Sequence, residues 1–414
     1  MVAAAEAGGA RAVARCDELA RPPFSDSAEG LTRTYLSPGY HAAQDRVAQW
    51  MAAAGMTVRR DPAMNLIGRY EGQVADAPAL VIGSHLDSVR MAGAYDGPLG
   101  IMLGIEAVAA LSAGDKRLPC AIEVYAFGDE EGSRFPAAML TSRAVAGTLD
   151  PAALDLADGN GTRLSDLLDI FAYPLAARAP GTVLAYLEAH IEQGPVLEAR
   201  GLALGTVSGI AAQLRFECEV QGMAGHAGTT AMALRRDAVA GMAAMVLEAE
   251  GVARAGPPDL VATVGVVNVP SGAANVIAGQ CRFTLDVRAG AGAVRDQAAE
   301  AILARCRAVA TARGLELAVR QVHDLPASPC DPALMNLLDA AMVSAGQAPF
   351  RLVSGAGHDA MVMAALCPTA MLFLRCRGGI SHNPAEHVEP ADAELALQVI
   401  LGFIDRLGAT VDPA

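Results

Sequence analysis

The sequence predicts an α/β protein in which a mostly parallel sheet forms one domain and a smaller α+β domain is inserted into it. At 414 residues the chain exceeds the size at which one hydrophobic core keeps growing, so two domains are expected. Short apolar runs that lead into turns and helical patterns occur in the first half and again near the C-terminus. Between them the pattern changes to alternating polar and apolar residues, which favours an insertion.

The parallel sheet is predicted from three apolar runs, at residues 80–85, 122–127 and 369–374. Each has the length and the β-branched or aromatic content of a buried strand. Residues 100–111 are Ala-rich and mostly apolar, which predicts a buried helix between the first two strands. The same kind of sheet is therefore expected on both sides of the middle of the chain.

The inserted domain is predicted from residues 215–220 and 282–288, which alternate polar with apolar side chains as half-exposed antiparallel strands do. Helical patterns at 237–250 and 294–313 supply a layer for one face of that sheet. We therefore expect residues 1–213 and 324–414 to form a discontinuous first domain and residues 214–323 to form the inserted one.

Composition excludes several classes of partner. No apolar stretch of about 18 residues exists to span a bilayer, so a membrane protein is not expected. The formal charge of −14 opposes binding to nucleic acid. Eight scattered cysteines without a C-x-x-C pair fit reduced, buried thiols, and residues 1–21 lack the apolar segment of a secretory signal. We therefore expect a cytoplasmic protein.

The first candidate metal ligands follow the first predicted strand. His85 and Asp87 lie two apart, on one side of an extended backbone, so the carboxylate is able to hold the imidazole in one tautomer. Asp96 follows in a Gly-containing turn that suits a carboxylate shared by two ions. Taken singly, each motif has a simpler structural explanation, because Asp before Gly commonly forms turns and His-x-Asp is common without metal.

Three acids, Asp129, Glu130 and Glu131, come directly after the second predicted strand. Solvated loop charges would explain them, but mutually repelling carboxylates at the end of an apolar strand favour a nearby cation. His190 and His382 lie near turns, and either alone is compatible with an ordinary surface or core histidine. Ligands bind at the carboxyl ends of strands in open α/β sheets, so the joint pattern indicates a metal site.

Taken together, these motifs resemble the hydantoinase/carbamoylase family of amidohydrolases, within the aminoacylase and zinc-carboxypeptidase superfamily. The resemblance covers nearly the whole chain, and it departs at Met64, Ala231 and Ala278, where the family commonly has Gly, Pro and Pro. The matching motifs lie, in family order, at residues 30–33, 50–51, 65–69, 83–89, 96–97, 130–135, 190–198, 225–230, 285–288, 355–360 and 380–384.

The resemblance implies a metallo-hydrolase catalytic domain interrupted by a lid and dimerisation domain. It implies that His85, Asp96 and His190 hold one divalent ion. Asp96, Glu131 and His382 would hold a second, so that Asp96 bridges the two. Imidazole and carboxylate ligands suit Zn, Mn, Co or Ni, and spacing does not choose among them.

By the same resemblance, Glu130 is the general base, Asp87 supports His85, and His226 of the lid stabilises the oxyanion. Arginine matches a carboxylate with a two-pronged contact, which suits Arg288 to an acidic substrate. The alternative for Arg288 is a surface strand residue paired with an acid. The implied substrate-binding residues are Gln193, Asn275 and Arg288, with Gly357 and His358 in a loop of the site wall.

The implied reaction is hydrolysis of a ureido acid, either an N-carbamoyl-L-amino acid or allantoate, with release of ammonia and carbon dioxide. His190 and the residues after it favour this branch over the dipeptidases of the superfamily. An aminoacylase or dipeptidase that uses the same metals is the alternative enzyme, and a non-catalytic binding protein is the alternative of another class. The resemblance also implies a homodimer formed through the lid domains.

Overall fold

The computed structural model describes residues 8–270 and 272–411, and the chain divides into two units. The larger unit contains the described residues through Ser208, Cys330–Leu352 and those from Ala356 onward. The smaller unit comprises Gly209–Pro329 and Val353–Gly355. The boundaries expected at 213/214 and 323/324 fall inside strands Ala212–Gln221 and Glu316–Leu325, which extend beyond the alternating pattern. The first seven and last three residues of the expected first domain lie outside the described residues.

The first part of the larger unit alternates helices with strands. Its helices are α1 (Gly8–Leu19), α2 (Pro38–Ala53), α3 (Pro98–Ala113), α4 (Leu140–Ala146) and α5 (Val196–Ala199). Its strands are β1 (Thr57–Arg60), β2 (Leu66–Tyr70), β3 (Ala79–His85), β4 (Ala121–Phe127), β5 (Val183–Ile191) and β6 (Leu204–Ile210), of which the last ends inside the smaller unit.

The remaining elements follow in chain order. The smaller unit adds β7 (Ala212–Gln221), β8 (Gly225–His226), α6 (Ala238–Ala255), β9 (Val261–Thr263), β10 (Val267–Asn268), β11 (Val276–Ile277), β12 (Gln280–Ala289), α7 (Gly292–Ala312), β13 (Glu316–Leu325) and β14 (Ser328–Pro329). The chain then forms α8 (Pro332–Ser344), β15 (Arg351–Ser354), α9 (Asp359–Met363), β16 (Thr369–Leu374) and α10 (Pro390–Gly408).

The main sheet runs β1-β2-β4-β3-β5-β16-β6-β14, with β15 also beside β6, and the α/β class is confirmed. The four central strands, β4, β3, β5 and β16, are mutually parallel, whereas β1 and β2 on one side and β6 on the other join them antiparallel. The sheet is therefore mixed, with a parallel centre. The central strands β3, β4 and β16 are buried along their whole length, as strands covered on both faces are.

Helix α3 follows the turn that contains Asp96. Residues 98–108 are all buried, which fits a helix that is apolar on all sides except at Glu106 and packs against β3, β4 and β5 as well as α1 and α10. A Cβ at Gly100 would lie 2.1 Å from the carbonyl oxygen of Ala189. Glycine here lets the helix approach β5 closely, which brings the Asp96 turn against the carboxyl ends of the strands.

The smaller unit is an antiparallel sheet in the order β10-β12-β7-β13, with β9 beside β12. The strands expected at 215–220 and 282–288 are confirmed as parts of β7 and β12, and both alternate buried with more exposed residues. The two expected helices are α6 and α7, and they pack against these strands. Helix α6 is capped at its N-terminus by Asp237, whose side chain accepts hydrogen bonds from the amides of Val239 and Ala240.

The structure also bears on two expectations from composition, namely the state of the cysteines and the lack of a bilayer-spanning segment. All eight cysteines are buried and free, as predicted for inert reduced thiols. Within the described part of the chain, every helix is too short or too polar to cross a bilayer.

Candidate metal centre

Neighbouring parallel strands bring the candidate ligands to one edge of the main sheet. His85 is the last residue of β3 and His190 the next to last of β5, while the acids 129–131 follow β4. The register pairs His85 with Phe127 of β4, so both strands end at the same level. The ends of parallel strands lie side by side, which explains how residues far apart in the sequence form one cluster.

Asp96 lies at the centre of this cluster, and its two carboxylate oxygens face different groups. Oδ1 is 3.1 Å from His190 Nε2 and 3.5 Å from His85 Nε2, whereas Oδ2 is 3.3 Å from His382 Nε2. His382 Nε2 is in turn 3.5 Å from Glu131 Oε1. The structure thus brings together the two sets of three residues that the family resemblance implies, each with its ligand atoms within 4.8 Å of one another.

The two buried imidazoles are oriented by backbone carbonyls. His85 Nδ1 lies 3.0 Å from the carbonyl oxygen of Asp87, and His190 Nδ1 lies 2.8 Å from that of Ile191. A carbonyl oxygen only accepts hydrogen bonds, so we assign the ring proton of each neutral histidine to Nδ1. This tautomer leaves the lone pair of Nε2 directed toward Asp96, where it is able to bind a metal ion.

Asp87 connects His85 with the acidic loop. Its carbonyl, rather than its carboxylate, contacts the imidazole closely, since Oδ1 is 3.9 Å from His85 Nδ1. The carboxylate instead accepts hydrogen bonds from the amides of Glu130 at 3.2 Å and Glu131 at 3.4 Å. Asp87 is fully buried, and its position therefore couples the end of β3 to the two glutamates after β4.

Burial raises the pKa values of the carboxylates in the cluster, whereas neighbouring imidazoles lower them. Burial, reinforced by the carboxylates of Glu131 and Asp87, raises the pKa of Glu130 well above its ordinary value. Burial alone would also raise the pKa of Asp96, but the three surrounding imidazoles hold it well below its usual range. Contact with Asp96 raises the pKa of His382 to about 9. The centre thus concentrates negative charge that a cation would stabilise.

The donor atoms fit divalent metal ions. Among the described residues, Asp96 Oδ1 and His190 Nε2 are buried without a hydrogen-bond partner, although they approach to 3.1 Å. Buried polar atoms are nearly always paired in native proteins, so such atoms indicate a missing ligand. Mixed imidazole and carboxylate donors suit Zn, Mn, Co or Ni. A third set of close ligand atoms, from His85, Glu130 and Glu131, places Glu130 beside the same space.

Comparison with known proteins assigns the family. The sequence pattern of peptidase family M20/M25/M40 matches residues 81–406. The chain belongs to this family. The N-carbamoyl-L-amino acid amidohydrolase of Geobacillus stearothermophilus is 41% identical over 383 residues, covering 91% of this chain and 93% of that protein. The probable allantoate deiminase of Oryza sativa subsp. japonica is 40% identical over 438 residues, covering 95% and 87%.

A solved structure extends the comparison to the fold of this M20 chain. The amidase of the hydantoinase/carbamoylase family from Burkholderia multivorans superposes with a TM-score of 0.90 and 33% identity, covering 97% of this chain and 98% of that one. The resemblance predicted from the motifs is therefore confirmed.

The smaller unit of this M20 protein holds three of the predicted substrate-site residues. His226 in β8 pairs with Val276 in β11, and the amide of Ala227 donates to the carbonyl of Asn275, so the His226 and Asn275 segments lie together. Arg288 donates through Nε and Nη2 to Asp286 and through Nη1 to the carbonyl of Gly355. The ion pair with an acid, weighed as an alternative, is therefore present in the structure.

The other predicted substrate residues lie in the larger unit. Gln193 Nε2 donates to Asp96 Oδ2 at 2.8 Å, so this side chain contacts a candidate ligand directly. The buried ring of His358 lies 4.5 Å from that of His190, and burial lowers its pKa well below the ordinary value, so it is neutral. Gly357 is close to Met139, whose Cε would be 2.9 Å from an added Cβ.

Sequence reasoning missed several buried polar residues around the centre. Glu188 accepts hydrogen bonds from the hydroxyl of Ser84 and from the amide of Ala360. Glu386 accepts hydrogen bonds from the amides of Tyr95 and Asp96. A usable signal existed for Glu188, because it lies two residues before His190 and so shares its side of β5. Glu386 follows His382 in the same loop, but only tertiary structure shows which residues it contacts.

We predict that His190→Ala and His382→Ala each lose one of two bound metal ions preferentially, whereas Asp96→Ala loses both. An ion that lacks one of its few protein ligands binds far more weakly, and Asp96 alone belongs to both sets. Metal content of the purified variants, measured by elemental analysis after dialysis, checks this. Full occupancy in the Asp96 variant would reject the assignment.

Proposed function

We propose that this M20 chain is a dinuclear metal-dependent amidohydrolase that cleaves a linear C–N bond of a ureido acid, releasing ammonia and carbon dioxide. The observation that carries the proposal is the single Asp96 carboxylate facing two ligand sets beside the buried Glu130. The names of the relatives support the substrate class, which is an N-carbamoyl-L-amino acid or allantoate.

The metal ligands are proposed as two sets that share Asp96. His85 and His190 complete the first, and Glu131 and His382 complete the second. Two divalent ions, of Zn, Mn, Co or Ni, supply a Lewis acid for the substrate carbonyl and lower the pKa of water when they are bound.

Glu130 is the proposed general base. Burial raises its pKa well above that of an ordinary glutamate, which suits a group that takes a proton and later returns it. The oxygen of the attacking water bonds to the carbamoyl carbon while its proton passes to a Glu130 oxygen. The C–N bond then breaks and Glu130 delivers that proton to the leaving nitrogen. The carbamic acid that remains loses carbon dioxide and frees the second nitrogen. The neighbouring Glu131 serves as a ligand, so the two roles fall on separate residues.

His226 is proposed to stabilise the negative oxygen that develops on the substrate carbonyl. Its Nδ1 accepts a hydrogen bond from the amide of Gly228 at 3.0 Å. The neutral ring therefore carries its proton on Nε2, which is then able to donate to an oxyanion. The exposed position of His226 leaves this donor accessible.

Substrate recognition is proposed to depend on polar groups around these atoms. Arg288 has five N–H donors, of which three are used by Asp286 and the Gly355 carbonyl, so two remain for a substrate carboxylate. Asp286 also fixes the plane of the guanidinium, which favours a two-pronged contact. The complete proposed set is Gln193, Asn275, Arg288, Gly357 and His358.

The reaction is proposed to take place in the cytoplasm. All eight thiols are free and buried, which is typical of proteins that fold in a reducing compartment.

Ammonia release is the direct test of the proposed reaction. We expect metal-loaded wild type to release ammonia from allantoate or from N-carbamoyl-L-amino acids, and a parallel assay of freed amino acids should show no cleavage of N-acyl amino acids or dipeptides. Glu130→Gln should keep both ions while kcat falls by about a hundredfold or more, because the general base is removed. Turnover of acyl amino acids or dipeptides alone would favour an aminoacylase or dipeptidase. Binding without turnover of any of these compounds would favour a non-catalytic protein.

Arg288 should select acidic substrates. Replacing it with Ala removes a charge-assisted contact of about 1.5–3 kcal/mol, which lowers kcat/KM for the free acid by roughly ten- to a hundredfold. The same variant should change little with the uncharged amide of that substrate, so wild type and variant are compared on both compounds. Equal discrimination between acid and amide in the two proteins would exclude Arg288 from carboxylate binding.

We further propose a homodimer formed through the smaller units, with His226 completing the site of the partner subunit. If His226 reaches the substrate only when the lid closes, then substrate binding is coupled to assembly of the site. Inactive His226→Ala and Glu130→Gln proteins should regain activity after subunit exchange, because one site of each mixed dimer then has both groups. Stable mixed dimers without activity would contradict this arrangement.

A further inference from the structure

Glu386 lies against the turn that carries Asp96, although the two are far apart in the sequence. Its side chain is buried, and Oε1 accepts hydrogen bonds from the amides of Tyr95 at 2.7 Å and Asp96 at 3.1 Å. Oε2 lies 3.2 Å from the hydroxyl of Ser381. One carboxylate therefore joins the Asp96 turn to the loop that presents His382.

Ser381 contacts the side chain of Asp96, whereas Glu386 contacts its backbone amide. Its hydroxyl donates to Asp96 Oδ2, the oxygen that also faces His382. The single Ser381 proton goes to Asp96 Oδ2, and the same hydroxyl oxygen contacts Glu386 Oε2, so a continuous path of polar contacts runs from the Asp96 amide through Glu386 and Ser381 to the Asp96 carboxylate. Rotation of the Asp96 carboxylate would break this path, so Ser381 and Glu386 restrain its orientation.

The two segments held by this path are both conformationally constrained. His382 has a φ of 54°, a left-handed conformation that favours glycine, so it needs surrounding contacts to persist. In the other segment, a Cβ at Gly93 would lie 2.3 Å from Glu386 Cβ, so the turn packs directly on this side chain. Removing Glu386 would therefore free both segments at once.

We propose that Glu386 and Ser381 are positioning residues of the two-ion centre. They hold Asp96 so that each of its oxygens serves one ion, and they hold His382 beside it. The inference rests on the proposed dinuclear function, and it assigns a role to two residues that contact Asp96 without facing the His85 and His190 side of the cluster. Groups that orient metal ligands in this way typically contribute ten- to a hundredfold to metal affinity.

The test measures Co²⁺ binding by the metal-free full-length protein in competition with a coloured chelator. Wild type should bind two ions, and Glu386→Ala and Ser381→Ala should each weaken both binding steps by roughly ten- to a hundredfold. Glu386→Gln keeps an oxygen for the two amides and gains an N–H that donates to Ser381, so its affinity should stay within about threefold of wild type. Gly93→Ala, which displaces Glu386 from the other side, should resemble Glu386→Ala.

Asp61→Ala is the matched control for a purely structural effect. Asp61 is also a buried carboxylate of the larger unit, and it accepts hydrogen bonds from the amide and side chain of Asn65. This variant should lower the melting temperature without changing Co²⁺ affinity. Should Glu386→Ala fail to fold, Ser381→Ala and Glu386→Gln decide the question.

Four outcomes separate this inference from the proposed function. Wild-type affinity for both ions in Glu386→Ala or Ser381→Ala would overturn the positioning role, as would equal weakening by Glu386→Gln and Glu386→Ala. Fewer than two Co²⁺ ions in wild type would overturn the two-ion centre itself. Two ions in wild type without ammonia release from any ureido acid would reject the proposed reaction while leaving the positioning role intact.

Discussion

Asp96 contributes one carboxylate to both ligand sets of the candidate centre, and the position of that carboxylate depends on the surrounding structure. Its oxygens face His85 and His190 on one side and His382 on the other. The position depends on α3, whose close approach to β5 at Gly100 sets where the preceding turn lies. A residue shared in this way tolerates little displacement, since a shift toward one group of ligands is a shift away from the other.

Burying several carboxylates together is the cost of this arrangement. Isolated buried acids become neutral, and the raised pKa values of Glu130 and Glu131 show that tendency. Asp96 departs from it because imidazoles surround it. Divalent ions would relieve the remaining repulsion between the carboxylates. The excess negative charge of the metal-free cluster therefore favours the binding of cations. The same excess charge leaves Glu130 suited to accept a proton.

The sequence was sufficient to predict the strands at 80–85, 122–127 and 369–374, because buried strands are short, continuous and apolar. Histidines and acids at the ends of apolar runs indicated a metal site, whereas the two ligand sets came from the family resemblance. The sequence did not predict that Asp87 binds the amides of the acidic loop, or that Gln193 donates to Asp96. These contacts join segments distant in the chain, and no local pattern records them. The antiparallel flanks of the sheet were missed for the same reason.

The central claim is that one carboxylate serves two ions, and anomalous diffraction from crystals grown with Mn²⁺ tests it most directly. The account predicts two peaks, each next to a different oxygen of Asp96, with His85 and His190 at one and Glu131 and His382 at the other. A single peak, or two peaks of which either lacks contact with Asp96, would contradict it.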